Sequence, residues 1–134
     1  MPTLDHTRAL YADLAKALGV AELQPDANGG IQLSIGEDTT VVLFGQDDTQ
    51  LLIVVPIVAL PREPDYAVVA WLLRRNFYDS DLLPFRIAAD KHANLVLWGR
   101  VPLPGLTGAR LAGLLDVVAG EVGRIRAEVS GEGE

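Results

Sequence analysis

Few side chains in this sequence have the type and spacing for chemistry near neutral pH. His6 and His92 are the two histidines, and there is no cysteine. The missing cysteines exclude thiolate nucleophiles, disulfide frameworks and cysteine-based zinc sites. A metal-binding or catalytic histidine needs a Glu or a second His at helical spacing, and neither histidine has one. Both read as surface residues. The run 26–37 imitates a calcium loop, with Asp26 first, Asn28 third and Glu37 twelfth. However, Gly30 holds the fifth position and Ile31 the sixth, where the sharp turn requires glycine. The pairs Glu37-Asp38 and Asp47-Asp48 carry the residue type of acid–base catalysis. A working pair needs one member desolvated so that its pKa rises, and both pairs sit in polar turns. Gly105-Leu-Thr-Gly108 precedes a helix without the Gly-Lys-Ser/Thr of a phosphate loop, and no serine stands in a Gly-x-Ser-x-Gly elbow. The expectation is no catalytic residue, no metal ligand and no cofactor.

The remaining candidates are apolar. Trp71, Phe77 and Trp98 could line a small-ligand pocket, but they read better as core or as a subunit interface. Arg74-Arg75 falls at the C-terminal end of a helix, where positive charge is favoured, and this reading is preferred to an anion site.

The elements that must carry these residues follow from periodicity. Residues 5–18 form an amphipathic helix with Leu4, Leu10, Tyr11, Leu14 and Leu18 on one face and Gly19 as its stop. After the turn cluster at 25–30, Ile31, Leu33 and Ile35 alternate with Gln32 and Ser34 as a half-buried strand. An acidic turn at 36–39 leads to a second strand at 41–44, and another at 45–49 to a third at 51–58. That third run is apolar at nearly every position, so both of its faces need cover. Short connections favour an antiparallel meander.

Pro61 and Pro64 break the third strand and open a helix over 66–77. At about 100° per residue, Tyr66, Val69, Ala70, Leu73 and Phe77 form one stripe, and Val68, Trp71 and Leu72 form another nearly opposite. A helix apolar on both sides needs cover on both, and a chain of 134 residues has little core to supply it. A partner is implied, and a second copy of the chain meets the need. Phe85, Ile87 and Ala89 mark a fourth strand, 90–94 a turn, and 95–101 a fifth strand. Thr107 is the expected N-cap of a last helix with Leu111, Leu114, Leu115, Val118, Val122, Ile125 and Val129 on one stripe. Residues 130–134 read as a frayed tail. The expected class is α+β, in the order α-β-β-β-α-β-β-α, with a twisted antiparallel sheet flanked by helices. Residues 1–129 form one domain.

Composition narrows the partners. The chain is 49% hydrophobic and 22% charged, as in folded soluble domains, with a net charge of −7. Residues 1–61 hold eight acids against two bases. Such a chain lacks the basic footprint of a nucleic-acid binder and is repelled by anionic lipid. No leader of basic and then apolar residues opens the sequence, and no apolar run is long enough to span a bilayer.

Several stretches, taken in order, resemble one family. They are Leu-Ala-Lys-Ala-Leu-Gly at 14–19, Asp-Ala-Asn-Gly-Gly-Ile-Gln-Leu at 26–33 and Leu-Leu-Ile-Val-Val-Pro-Ile-Val-Ala-Leu-Pro at 51–61. Trp-Leu-Leu-Arg-Arg-Asn-Phe at 71–77, Leu-Val-Leu-Trp-Gly-Arg-Val-Pro-Leu at 95–103 and Leu-Ala-Gly-Leu-Leu at 111–115 complete them. With this spacing, small size and acidity, residues 7–128 are similar to the CesT/Tir-type class I chaperones of bacterial type III secretion. The resemblance implies a cytoplasmic, non-enzymatic homodimer that keeps the chaperone-binding segment of a secreted effector protein extended and secretion-competent. Secretion-apparatus components would be further partners. It places dimer contacts on the middle helix and the following strand, here Val68, Trp71, Leu72 and Arg75 with Phe85 and Ile87. It places effector contacts on Leu10, Leu14, Ile31, Leu33 and Ile35, for which ordinary core is the alternative. A YbjN-type regulator or adaptor of the same fold, unconnected with secretion, is the other reading.

Overall fold

The computed structural model describes residues 5–20, 30–35, 39–45, 49–63, 65–77 and 85–130, with only the backbone at 5–8 and 130. Its elements are α1 (Asp5–Leu18), β1 (Gly30–Ile35), β2 (Thr39–Gly45), β3 (Gln50–Ala59), α2 (Tyr66–Arg75), β4 (Arg86–Ala89), β5 (Asn94–Pro102) and α3 (Gly108–Ser130). The α-β-β-β-α-β-β-α order is the expected one. The acid pairs 37–38 and 47–48, the calcium-like residues Asp26 and Asn28, and Pro64 lie outside the described residues. So do 131–134, although Ser130, expected in the tail, closes α3.

The helix ends follow from local chemistry. Gly19 adopts φ 71°, its N–H bonds to the Lys16 carbonyl, and the Val20 N–H reaches back to Ala15. This doubled closure of the last turn uses the left-handed conformation that glycine adopts at little cost. At the start of α3 the Thr107 hydroxyl accepts the Arg110 N–H at 3.2 Å, the N-cap expected from sequence. Asp13 of α1 accepts the Gly108 N–H at 2.6 Å, so one helix caps the next. A Cβ at Gly108 would overlap the Asp13 backbone, which makes this glycine the condition for the close α1–α3 seam. Helix α2 starts at Tyr66 after Asp65 and stops at Arg75, two residues short of the expected end, with Asn76 as its C-cap.

All strand pairs are antiparallel, in the order β1-β2-β3-β5-β4. The first three form the expected meander, while β5 returns beside β3 and leaves β4 on the edge. Each strand buries alternate residues. Ile31, Leu33, Ile35, Val41, Leu43, Leu51, Ile53, Val55, Leu95, Leu97 and Val101 point into the core with Leu111, Leu115, Val118, Val122, Ile125 and Val129 of α3. A register shift between Pro56 and Val58 marks a bulge, and the Ile57 carbonyl there accepts Arg126 Nε at 3.1 Å.

Candidate partner-binding surfaces

Period-two alternation leaves the other sheet face with its own set of side chains. Register aligns Val42, Val54, Trp98 and Arg86 across four strands in one row. Phe44, Leu52 and Arg100 form the next row, and Pro56, Val96 and Ala88 a third. The apolar members Val42, Phe44, Leu52, Val54, Val96 and Trp98 are half-buried, and none belongs to the set packed against the core. The Arg100 guanidinium lies over the Trp98 ring, 5.2 Å from its centroid, a favourable cation–π geometry. Gly30 gives the Phe44 ring its seat, since a Cβ there would meet Cε1 at 2.6 Å. The described strand positions on this face hold two arginines and no acid, although the chain as a whole is acidic. An apolar centre with a basic margin suits a segment that is itself apolar with acidic residues alongside.

The five residues first considered for effector contact lie on the other face. Leu10, Leu14, Ile31, Leu33 and Ile35 are all buried within the chain. Their alternation is that of a core-facing stripe, the alternative reading of these residues, and within the chain the sheet, α1 and α3 cover them. What β1 presents is Gln32 and Ser34, which are exposed, and a backbone edge that no other described strand pairs. The surface overlooked in sequence did leave a signal. A third strand apolar at nearly every position demands a second cover, and Leu52 and Val54 are the residues left waiting for it.

Helix α2 divides as its two stripes predict, one side packed on the chain and the other exposed. Leu72 is buried, and Val68 and Trp71 pack against the core. Arg75 Nη2 bonds Glu121 Oε2 of α3 at 2.5 Å, and its guanidinium lies 5.6 Å from the Trp71 centroid. Phe85 and Ile87 are also core. Of the six residues expected at the dimer contact, Leu72, Phe85 and Ile87 are buried within the chain, while Val68, Trp71 and Arg75 are half-buried. The opposite stripe is the open one. Tyr66 is 87% exposed, Leu73 66% and Phe77 56%, with Val69 and Ala70 half-buried between them.

His92 is exposed in the β4–β5 turn, where its backbone N–H bonds Asp90 Oδ1 at 2.8 Å. Among the described residues no group of three or more His, Cys, Asp or Glu could hold a metal ion. A cavity of about 330 Å³ opens where β5 leads into α3, lined by Val101, Pro102, Pro104, Gly105, Leu106, Arg110 and Leu114. The residues lining it include neither a nucleophile nor a general base. No helix among the described residues is long and apolar enough to cross a membrane.

A model of the Tir chaperone protein (CesT) family matches residues 9–126. The chain belongs to that family. Three solved structures are similar in fold to this CesT-family chain. The Yersinia pestis type III secretion chaperone SycH, in complex with a fragment of YscM2, is 21% identical over 88% of this chain and 98% of its own, with a TM-score of 0.73. The heterodimeric ExoU–SpcU complex from the type III secretion system of Pseudomonas aeruginosa contains a chain 24% identical, covering 89% and 96%, with a TM-score of 0.73. The ExsC–ExsE complex contains one 17% identical, covering 94% and 95%, with a TM-score of 0.75. At such identities the similarity is one of fold, and it spans nearly all of each chain. No curated protein sequence matches this one significantly. The CesT-family fold thus sets a buried sheet face under α1 and α3 against an outer face and an α2 stripe left open.

Proposed function

We propose that this chain is a type III secretion chaperone, which binds the N-terminal chaperone-binding segment of a secreted effector and keeps it soluble, partly unfolded and ready for secretion. The observation that carries the proposal is membership of the CesT family over residues 9–126. The outer sheet face supports it physically. Six half-buried apolar side chains with Arg86 and Arg100 beside them can hold an extended segment through many small contacts, which is what binding without folding requires. The three solved structures named above are complexes of two proteins, in keeping with this use of the fold.

The chain acts as a homodimer through the open stripe of α2, with Tyr66 and Leu73 at its centre, in the cytoplasm of a bacterium. It uses no cofactor, metal or nucleotide and catalyses no reaction; binding energy alone does the work. Residues 1–129 act as one domain. Affinity capture of the tagged chain from its source bacterium, followed by mass spectrometry, tests the proposal. A secreted protein retained in stoichiometric amount is expected. Capture that retains no secreted protein, under conditions where the secretion system is expressed, rejects it.

A further inference from the structure

The cavity at the β5–α3 junction has walls that local chemistry sets. Pro104 and Gly105 stand at the centre of a turn closed by the Leu106 N–H on the Leu103 carbonyl at 3.0 Å. Gly105 has φ 81°, as a type II turn requires of its third residue, and proline is favoured at the second. The Leu103 N–H bonds the Thr49 carbonyl at 2.8 Å, which ties the turn to the chain entering β3. Thr107 then caps α3 directly after the turn. The shape of the cavity is therefore fixed by the fold itself, as in most small-molecule sites.

Size and charge specify what fits. Val101, Leu106 and Leu114 line the cavity, and Arg110 is the one charged residue of the lining. An apolar cavity of about 150 Å³ accepts benzene. A volume of about 330 Å³ takes an apolar body roughly twice that size, such as a chain of about eight to ten carbons. Arg110 is exposed, and its guanidinium makes one side-chain bond, from Nη1 to the Gly105 carbonyl at 3.3 Å. Among the described residues no carboxylate pairs with it. Asp13, which reaches the same end of α3, bonds the Gly108 N–H instead. A guanidinium at the mouth of an apolar cavity, without a counter-charge in a chain of net charge −7, is complemented by an anion with an apolar body. We propose that this cavity binds a small apolar carboxylate, with Arg110 on the carboxylate and Leu106 and Leu114 against the body. A phenylalanine side chain from a protein partner is about benzene-sized and would leave roughly half of the space empty, so a free ligand is the better match. The site needs neither an effector nor a second copy of the chain.

NMR titration of the full chain at pH 7 with octanoate, octan-1-ol and octylamine as probes tests the site. Octanoate should give saturable shifts centred on the amides of 101–114, and octylamine, with the same body and the opposite charge, none there. Arg110→Gln changes an exposed side chain and should weaken octanoate about tenfold, the contribution of one charge-assisted hydrogen bond, while octan-1-ol binds as before. Leu114→Phe narrows the cavity and should weaken octanoate and octan-1-ol alike; where that variant does not fold, the Arg110 comparison decides. Octanoate shifts centred on the outer sheet face or on α2, equal responses to octanoate and octylamine, or undiminished binding by Arg110→Gln overturn the proposal. So does the absence of saturable shifts at millimolar octanoate. A captured protein partner that shifts these amides while octanoate does not also overturns it, because the cavity then belongs to that partner.

Discussion

Leu73→Asp tests the dimer at a position where the monomer has nothing to lose. Leu73 is 66% exposed and sits between Tyr66 and Phe77 on the stripe of α2 that the chain does not cover. Full burial of a leucine is worth about 1.5–3 kcal/mol, so covering the exposed two-thirds contributes about 1–2 kcal/mol. Two-fold symmetry counts each residue twice. The dimer should lose about 2–4 kcal/mol, which raises the dissociation constant by roughly 30- to 1000-fold. An unpaired carboxylate in a dry contact adds to that loss. Trp71→Glu would be a poorer probe, because Trp71 packs on the core and under Arg75, so that it damages the fold together with any interface. Sedimentation equilibrium over nanomolar to micromolar concentrations gives the constant, and circular dichroism confirms that the helices persist. A folded Leu73→Asp protein that dimerises as tightly as the parent, or a parent that stays monomeric at micromolar concentration, refutes the reasoning.

Three further outcomes are expected. Gly108→Ala forces a methyl into the Asp13 backbone and should cost about 1–3 kcal/mol of stability through separation of α1 and α3, read from the urea midpoint. Hydrogen bonds from the backbone N–H groups of Asn94 and His92 hold the Asp90 carboxyl below its ordinary value of 3.8. Because the folded pKa is the lower one, the stabilisation is present above the ordinary value and disappears as pH falls through the depressed one. Asp90→Ala should therefore be less stable than the parent at pH 7, by a margin that shrinks as pH falls below 3.8. Tyr11 buries a hydroxyl with no partner among the described residues; burial pushes its pKa above 10.0, with the Gly45 backbone opposing from outside good hydrogen-bond geometry. Tyr11→Phe should leave stability unchanged or raise it by up to about 1 kcal/mol. It should also remove that group's alkaline loss, since a raised folded pKa gives stability that is full below pH 10 and lost as pH climbs through the folded value.

Much of the fold was legible because local signals agreed. Gly19, Thr107 and the stripe from Leu111 to Val129 fixed the helix ends and the buried face of α3 by chemistry that acts within a few residues. The alternation of Ile31, Leu33 and Ile35 identified β1 equally well, but it could not say which face of the sheet is covered by the chain and which is left for a partner. That depends on where α1 and α3 pack, a matter of contacts distant in sequence. The same limit explains α2. Two apolar stripes were plain in the sequence, yet the choice of inward side is made by Arg75 reaching Glu121 and by Leu72 entering the core, pairings separated by dozens of residues. Asn76 gave no signal at all, because an asparagine ending a helix is ordinary until its carboxamide is found bonded to both backbone groups of Ile87, at 2.6 and 2.8 Å.

The central claim is that the chain holds an extended N-terminal segment of a secreted protein and leaves the remainder of that protein alone. Isothermal titration calorimetry with the captured partner, whole and with its N-terminal segment deleted, measures this directly. The account predicts that the deletion abolishes binding while the isolated segment binds about as tightly as the whole protein. A truncated partner that binds with undiminished affinity would contradict it.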